Sequence, residues 1–147
     1  MMLIIGYGNP LRGDDGVGWR VAEAARAALP EGAATVLTVH QLTPELAEPI
    51  SRAGRVVFVD AAAAGEPGTV NCFALEEAGK LPALQGTHQT TPDALLAMAG
   101  ELFGRRPPAT MVTIVGESFE VSEALTPVVV AAVPEAVKYI VALGRQP

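Results

Sequence analysis

Five short apolar runs rich in valine and isoleucine, interleaved with stretches of helical spacing, constrain this chain more than any other feature. The runs are Met2 to Ile5, Thr35 to Val39, Val56 to Val59, Val70 to Phe73 and Met111 to Val115. They do not alternate regularly with polar residues, so they read as strands mostly buried on both faces. Helical spacing covers Gly16 to Leu29, Pro44 to Arg52, Pro92 to Phe103 and Pro127 to Leu143. This order predicts an α/β fold: a single three-layer α/β/α domain over residues 1–147, around a twisted, mostly parallel sheet of five or six strands. The first and third strands are expected to be adjacent and central. Three helix starts, Thr43-Pro44, Thr91-Pro92 and Thr126-Pro127, pair an N-cap hydroxyl with a proline suited to the first turn. Pro134 should kink the last helix without ending it. Ala61 to Gly68 and Gly104 to Pro108 read as loops.

Composition excludes several functions. The 147 residues, half of them hydrophobic, suit one ordinary domain with a sizeable core. A formal charge of −6 argues against a nucleic-acid partner, which would require clustered Lys and Arg. Cys72 is the only cysteine, so there is no internal disulfide and no multi-thiolate metal site. A reducing cytoplasm fits that usage, and Cys72 reads as a buried, inert thiol. The opening Met1 to Gly6 lacks a basic region and reaches glycine too early for a signal peptide, and no later apolar run looks long enough to span a bilayer. A soluble, uncleaved protein with no membrane partner is expected.

The segment Gly6-Tyr7-Gly8-Asn9-Pro10-Leu11-Arg12-Gly13-Asp14-Asp15-Gly16-Val17-Gly18 joins the first strand to the first helix. A dinucleotide fingerprint would place a third glycine where Leu11 stands and would start the helix sooner. Two carboxylates also occupy the helix N-terminus where a phosphate would need donors, so the loop prefers a cation. Asp14 is adequately explained as an acid in a first helical turn. Asp15 is the candidate site residue, because Gly16 and Gly18 weaken a helix but permit close backbone approach.

Asp60 follows four apolar residues at the end of the third strand. In a doubly wound sheet, ligands bind beyond the carboxyl ends of strands where the winding reverses, which for a flavodoxin-like order lies between the first and third. Asp15 and Asp60 would then face one crevice, and His88, on the loop before Pro92, could return to the same edge. Two carboxylates and an imidazole suit zinc, nickel or a similar divalent ion, with coordination positions left open. Other nucleophiles are weaker. Ser118 lacks the second glycine of a nucleophile elbow, Cys72 has no nearby base, and His40, expected near the edge after the second strand, is unassigned.

At these residues the chain resembles the hydrogenase maturation endopeptidases, which trim the C-terminal tail of the nickel-iron hydrogenase large subunit. The likeness runs through Ile5 to Leu11, Asp14 to Gly18, Val59-Asp60-Ala61 with Pro67-Gly68, His88-Gln89 before Pro92, and Val112 to Thr126-Pro127. It departs at Asp15, where some relatives have glutamate, and at His40-Gln41-Leu42-Thr43, where several have an Asp-Gly-Gly-Thr turn. The resemblance implies a cytoplasmic processing protease, expected to act as a monomer, with the large-subunit precursor as its partner. It also implies that Asp15, Asp60 and His88 contact nickel supplied by the substrate, a place zinc or another divalent ion could take. A nickel carrier without protease activity, or a nucleotide- or flavin-binding module, are the alternatives on the same fold.

Overall fold

The computed structural model describes residues 1–76 and 90–146. In chain order the elements are β1 (Met2–Tyr7), a 3-10 turn (Gly13–Gly16), α1 (Val17–Ala28), β2 (Ala34–Val39), a second 3-10 turn (Pro44–Leu46) and α2 (Ala47–Arg52). Then follow β3 (Arg55–Ala62), β4 (Val70–Ala74), α3 (Pro92–Phe103), β5 (Ala109–Val115) and α4 (Pro127–Gly144). The sheet order is β2-β1-β3-β5-β4. All pairs are parallel except β4, which runs antiparallel to β5. The first and third strands are neighbours near the centre, and the winding reverses between them, as the sequence predicts.

Side chains on a strand alternate between faces, so an uninterrupted apolar run supplies two cores at once. On one face Met2, Ile4, Val57, Val59, Val112 and Ile114 pack with Val17, Val21, Ala25, Val129, Ala136 and Ile140 from α1 and α4. On the other, Leu3, Ile5, Val56, Phe58 and Met111 pack with Ile50, Leu95, Leu96 and Ala99 from α2 and α3. The edge strands differ from expectation: most of β2 and all of β4 are only partly buried or exposed, because each has one neighbour and incomplete helix cover. Cys72 accordingly sits partly buried on β4, where desolvation raises its thiol pKa.

Three further differences concern single elements. β3 runs on through Ala61 and Ala62, which pair with Ile114 and Val115, so Asp60 lies inside the strand and not at its end. All three prolines open their helices, but only Thr91 caps with its side chain, accepting from Ala94 N–H at 3.1 Å. The Thr43 hydroxyl instead donates to Glu45 Oε1 at 2.8 Å, and that of Thr126 is taken by an acid described below. Finally, α4 continues through Pro134 for 18 residues with a mean hydropathy of 1.6, so one helix does have the length and composition to cross a membrane, contrary to the sequence reading. Its Val129, Ala132, Ala136 and Ile140 form a buried stripe packed in the core beside α1.

Candidate active site at the β1 and β3 carboxyl ends

The glycine-rich opening folds back tightly onto the sheet. Gly18 lies against the backbone of Tyr7 and Val59, and a side chain there would meet the Val59 carbonyl at 2.5 Å. Gly16 similarly abuts Pro10, and Gly8, at φ +137°, abuts the Asp15 carbonyl. These are the close backbone approaches expected of Gly16 and Gly18. They bring the start of α1 to the mouth of β1 and β3.

The paired acids then diverge. Asp14 is fully buried and accepts four hydrogen bonds. Glu117 N–H and Ser118 N–H reach Oδ2 at 2.8 and 3.1 Å, Thr126 N–H reaches Oδ1 at 2.8 Å, and the Thr126 hydroxyl donates to Oδ2 at 2.8 Å. Burial pushes its pKa up, but these donors together outweigh burial and hold it below the usual carboxylate range. The explanation of Asp14 as an ordinary first-turn acid is therefore replaced: it anchors the loop between β5 and α4. Asp15 turns the other way, with Oδ2 accepting only Asn9 N–H at 2.7 Å among its side-chain hydrogen bonds.

Asp15 and Asp60 line one crevice of about 170 Å³, together with Tyr7, Gly8, His40, Gln41, Leu42 and Thr90. Asp60 Oδ1 accepts Ala61 N–H at 2.8 Å. Burial first, and then the negative charge of Asp15, push the Asp60 pKa up to about 6, against partial relief from Ala61 N–H and the Tyr7 hydroxyl. The Tyr7 hydroxyl is itself driven to a higher pKa by burial and by the Asp60 charge. No Lys or Arg lines this crevice among the described residues, so its two carboxylates lack a fixed counter-charge there and the donor set suits a cation.

His88, the third expected ligand, lies outside the described residues. Among the described residues no three His, Cys, Asp or Glu side chains form a metal-holding group. The sequence leaves His40 and Gln41 without a role and does not single out Tyr7, and the structure places all three on the crevice wall. His40 meets Trp19 edge-on, with ring centroids 5.4 Å apart, and the Trp19 indole N–H donates to Val39 O at 2.9 Å. His40 directly follows β2, on the sheet edge where the sequence placed it. Ser118 serves the Asp14 anchor through its N–H, and neither it nor Cys72 lines the crevice.

Comparison with known proteins agrees with this architecture. The hydrogenase maturation protease (HycI) family model matches residues 20–143. The hydrogenase maturating endopeptidase HybD from E. coli shares 28% identity, with 98% of this chain and 91% of that one covered and a TM-score of 0.72. The [NiFe] hydrogenase maturation protease HybD from Thermococcus kodakarensis shares 25% identity over 98% of this chain and 99% of its own, with a TM-score of 0.76. A hydrogenase 2 maturation peptidase from a Thaumarchaeota archaeon shares 26% over 99% of both chains, with a TM-score of 0.71. No curated protein matches the sequence. Since the family model spans most of the chain and the solved structures share its fold end to end, this chain belongs to the hydrogenase maturation protease family.

Proposed function

We propose that this endopeptidase removes the C-terminal extension of a nickel-iron hydrogenase large-subunit precursor once nickel has been inserted, acting in the cytoplasm as a monomer. Asp15 and Asp60, with His88, would read the nickel that the substrate carries. The observation that supports this most is the convergence of two carboxylates on one crevice without a lining cation among the described residues. A set of so few protein donors leaves coordination positions to be filled by the substrate's own ligands. Above a pH of about 6 Asp60 is ionised and ready to meet a cation, and below it recognition should weaken as Asp60 gains its proton. An imidazolium at His88 would be equally unable to ligate.

The chain's own residues supply position and charge. Asp15 is held by Asn9 N–H, Asp60 by Ala61 N–H, and the Tyr7 hydroxyl adds a polar group to the same wall. An ion bound there could polarise the scissile carbonyl or activate water, which suits a crevice whose described residues present no thiol and no serine. The nucleotide or flavin reading is disfavoured by the same carboxylates, which repel phosphate.

The test incubates metal-stripped protease with metal-free and nickel-loaded precursor and follows release of the tail. Cutting of the loaded precursor alone supports the proposal. Equal cutting of both would show that nickel is not the checkpoint, and cutting of neither until zinc is added to the protease would indicate a resident metal. Binding of nickel without any cutting would favour the carrier. Alanine at Asp15, Asp60 or His88 should abolish processing while leaving the fold intact.

A further inference from the structure

The two adjacent acids of the opening loop have opposite surroundings, one enclosed by donors from distant chain and the other facing the crevice. We propose that Asp14 is the positioning residue for Asp15: its buried carboxylate, gripped by Glu117, Ser118 and Thr126, fixes the turn that presents Asp15 to the crevice.

The Gly13–Gly16 turn is four residues of 3-10 helix, too short to hold its own orientation. Its hold comes from a strap of remote chain. Gly13 N–H donates to Ser122 O at 2.8 Å, Asp14 N–H to Ser118 O at 2.9 Å, and Ser122 N–H to Leu11 O at 3.0 Å. The four bonds to the Asp14 carboxylate lock the same strap from inside. Gly116 backs directly onto Asp14, where a side chain would meet Asp14 Cβ at 3.0 Å. Asp15 has fewer hydrogen bonds, the Asn9 N–H to its carboxylate and the backbone bond of its own turn, with Gly8 packed against its carbonyl. Its direction is therefore set from Asp14, as groups one step behind a ligand commonly orient it. The Glu117 to Thr126 segment, whose bonds to Asp14 span 103 to 112 positions of sequence, thereby becomes part of the site's support.

Asp14→Asn is an informative change. Oδ2 receives three of the four donors and Oδ1 one, so an amide oriented to keep the three turns its NH2 group toward Thr126 N–H. A milder variant, Thr126→Val, removes only the hydroxyl bond and no helix cap, since that hydroxyl does not cap α4. Ile140→Val, in the core of α4, provides a loss of stability without touching the strap.

The inference rests on Asp15 being a site residue, so the experiment reads position separately from activity. The full chain and each variant are compared by the NMR shift and hydrogen exchange of the Asn9 amide, which reports the 2.7 Å bond to Asp15, and by processing of nickel-loaded precursor. Folded Asp14→Asn should shift the Asn9 amide, speed its exchange and slow processing about 10–100-fold. Thr126→Val should move both readouts in the same direction by less, and it decides the matter if Asp14→Asn does not fold. Ile140→Val should move neither. An unchanged Asn9 amide in folded Asp14→Asn, or in Thr126→Val if the former is unfolded, overturns the proposal. If the wild-type chain processes no precursor, the functional reading fails, and the amide alone still decides whether Asp14 positions Asp15.

Discussion

Replacing Asp60 by asparagine removes a charge that the folded protein holds at a disadvantage, so the variant should be more stable while losing its function. Asp60 is displaced from an ordinary value of 3.8 to about 6, chiefly by burial and secondarily by Asp15. At about 1.4 kcal/mol per pH unit, this corresponds to roughly 3 kcal/mol of unfavourable free energy when the group is ionised. Allowing for solvent at the open mouth of the crevice, about 1–2 kcal/mol is the expected gain. The sign follows from proton counts: between pH 3.8 and about 6 the folded chain holds a proton that the unfolded chain has lost. Wild-type stability therefore falls as pH rises through that window, and the penalty is complete above it. The asparagine side chain would keep an oxygen to accept Ala61 N–H, so the local geometry can persist. Thermal unfolding of Asp60→Asn should thus match wild type near a pH of about 3.5 and exceed it at a pH of about 7 by about 2–8 °C, at roughly 2–4 °C per kcal/mol for a chain of this size. A melting point at neutral pH equal to or below wild type would refute the reasoning, and a gain of equal size at both pH values would assign it to packing instead of charge. Added nickel should narrow the difference by stabilising the wild-type crevice selectively.

Gly8→Ala combines a positive φ of 137° with a side chain directed into the Asp15 carbonyl, and should cost about 2–4 kcal/mol in urea unfolding; an unchanged midpoint would mean that the loop yields freely. Phe58→Ala, emptying a fully buried position between β3 and the α2 and α3 helices, should cost about 3–5 kcal/mol, measured by the same titration. Trp19→Phe deletes the indole bond to Val39 O and should cost about 1 kcal/mol. Trp19 is the only tryptophan and touches His40 at the crevice, so nickel titration should quench its emission. Quenching that survives intact in an Asp15→Ala, Asp60→Ala double variant would place the ion elsewhere.

Much of the fold was legible because its signals are local. α3 spans Pro92–Phe103 as read, since Thr91-Pro92 starts it and Gly104, at φ +77°, ends it with a left-handed residue. The double apolar character of β1, β3 and β5 likewise announced a sheet covered on both faces, and with it an edge where Asp15 and Asp60 share a crevice. Other features depend on what tertiary contact supplies. Ala61 and Ala62 carry no strand signal of their own and extend β3 only because Ile114 and Val115 stand opposite to pair with them. Thr126 looks like a cap in sequence, yet its hydroxyl bonds to Asp14, 112 positions earlier. His40 gained meaning only when β2 was laid beside β1 and Trp19 closed against it. The glycines flanking Asp15 pointed to it over its neighbour as the site residue, and it does line the crevice, but nothing near Asp14 announced its buried anchoring role. The sequence by itself determined the strands, the helices and the edge on which the acids gather, because propensity and hydrophobic period act over a few residues. That Asp14 turns inward as the anchor of a remote strap was decided only by tertiary structure, since the donors that capture it arrive from Glu117, Ser118 and Thr126 at the far end of the chain.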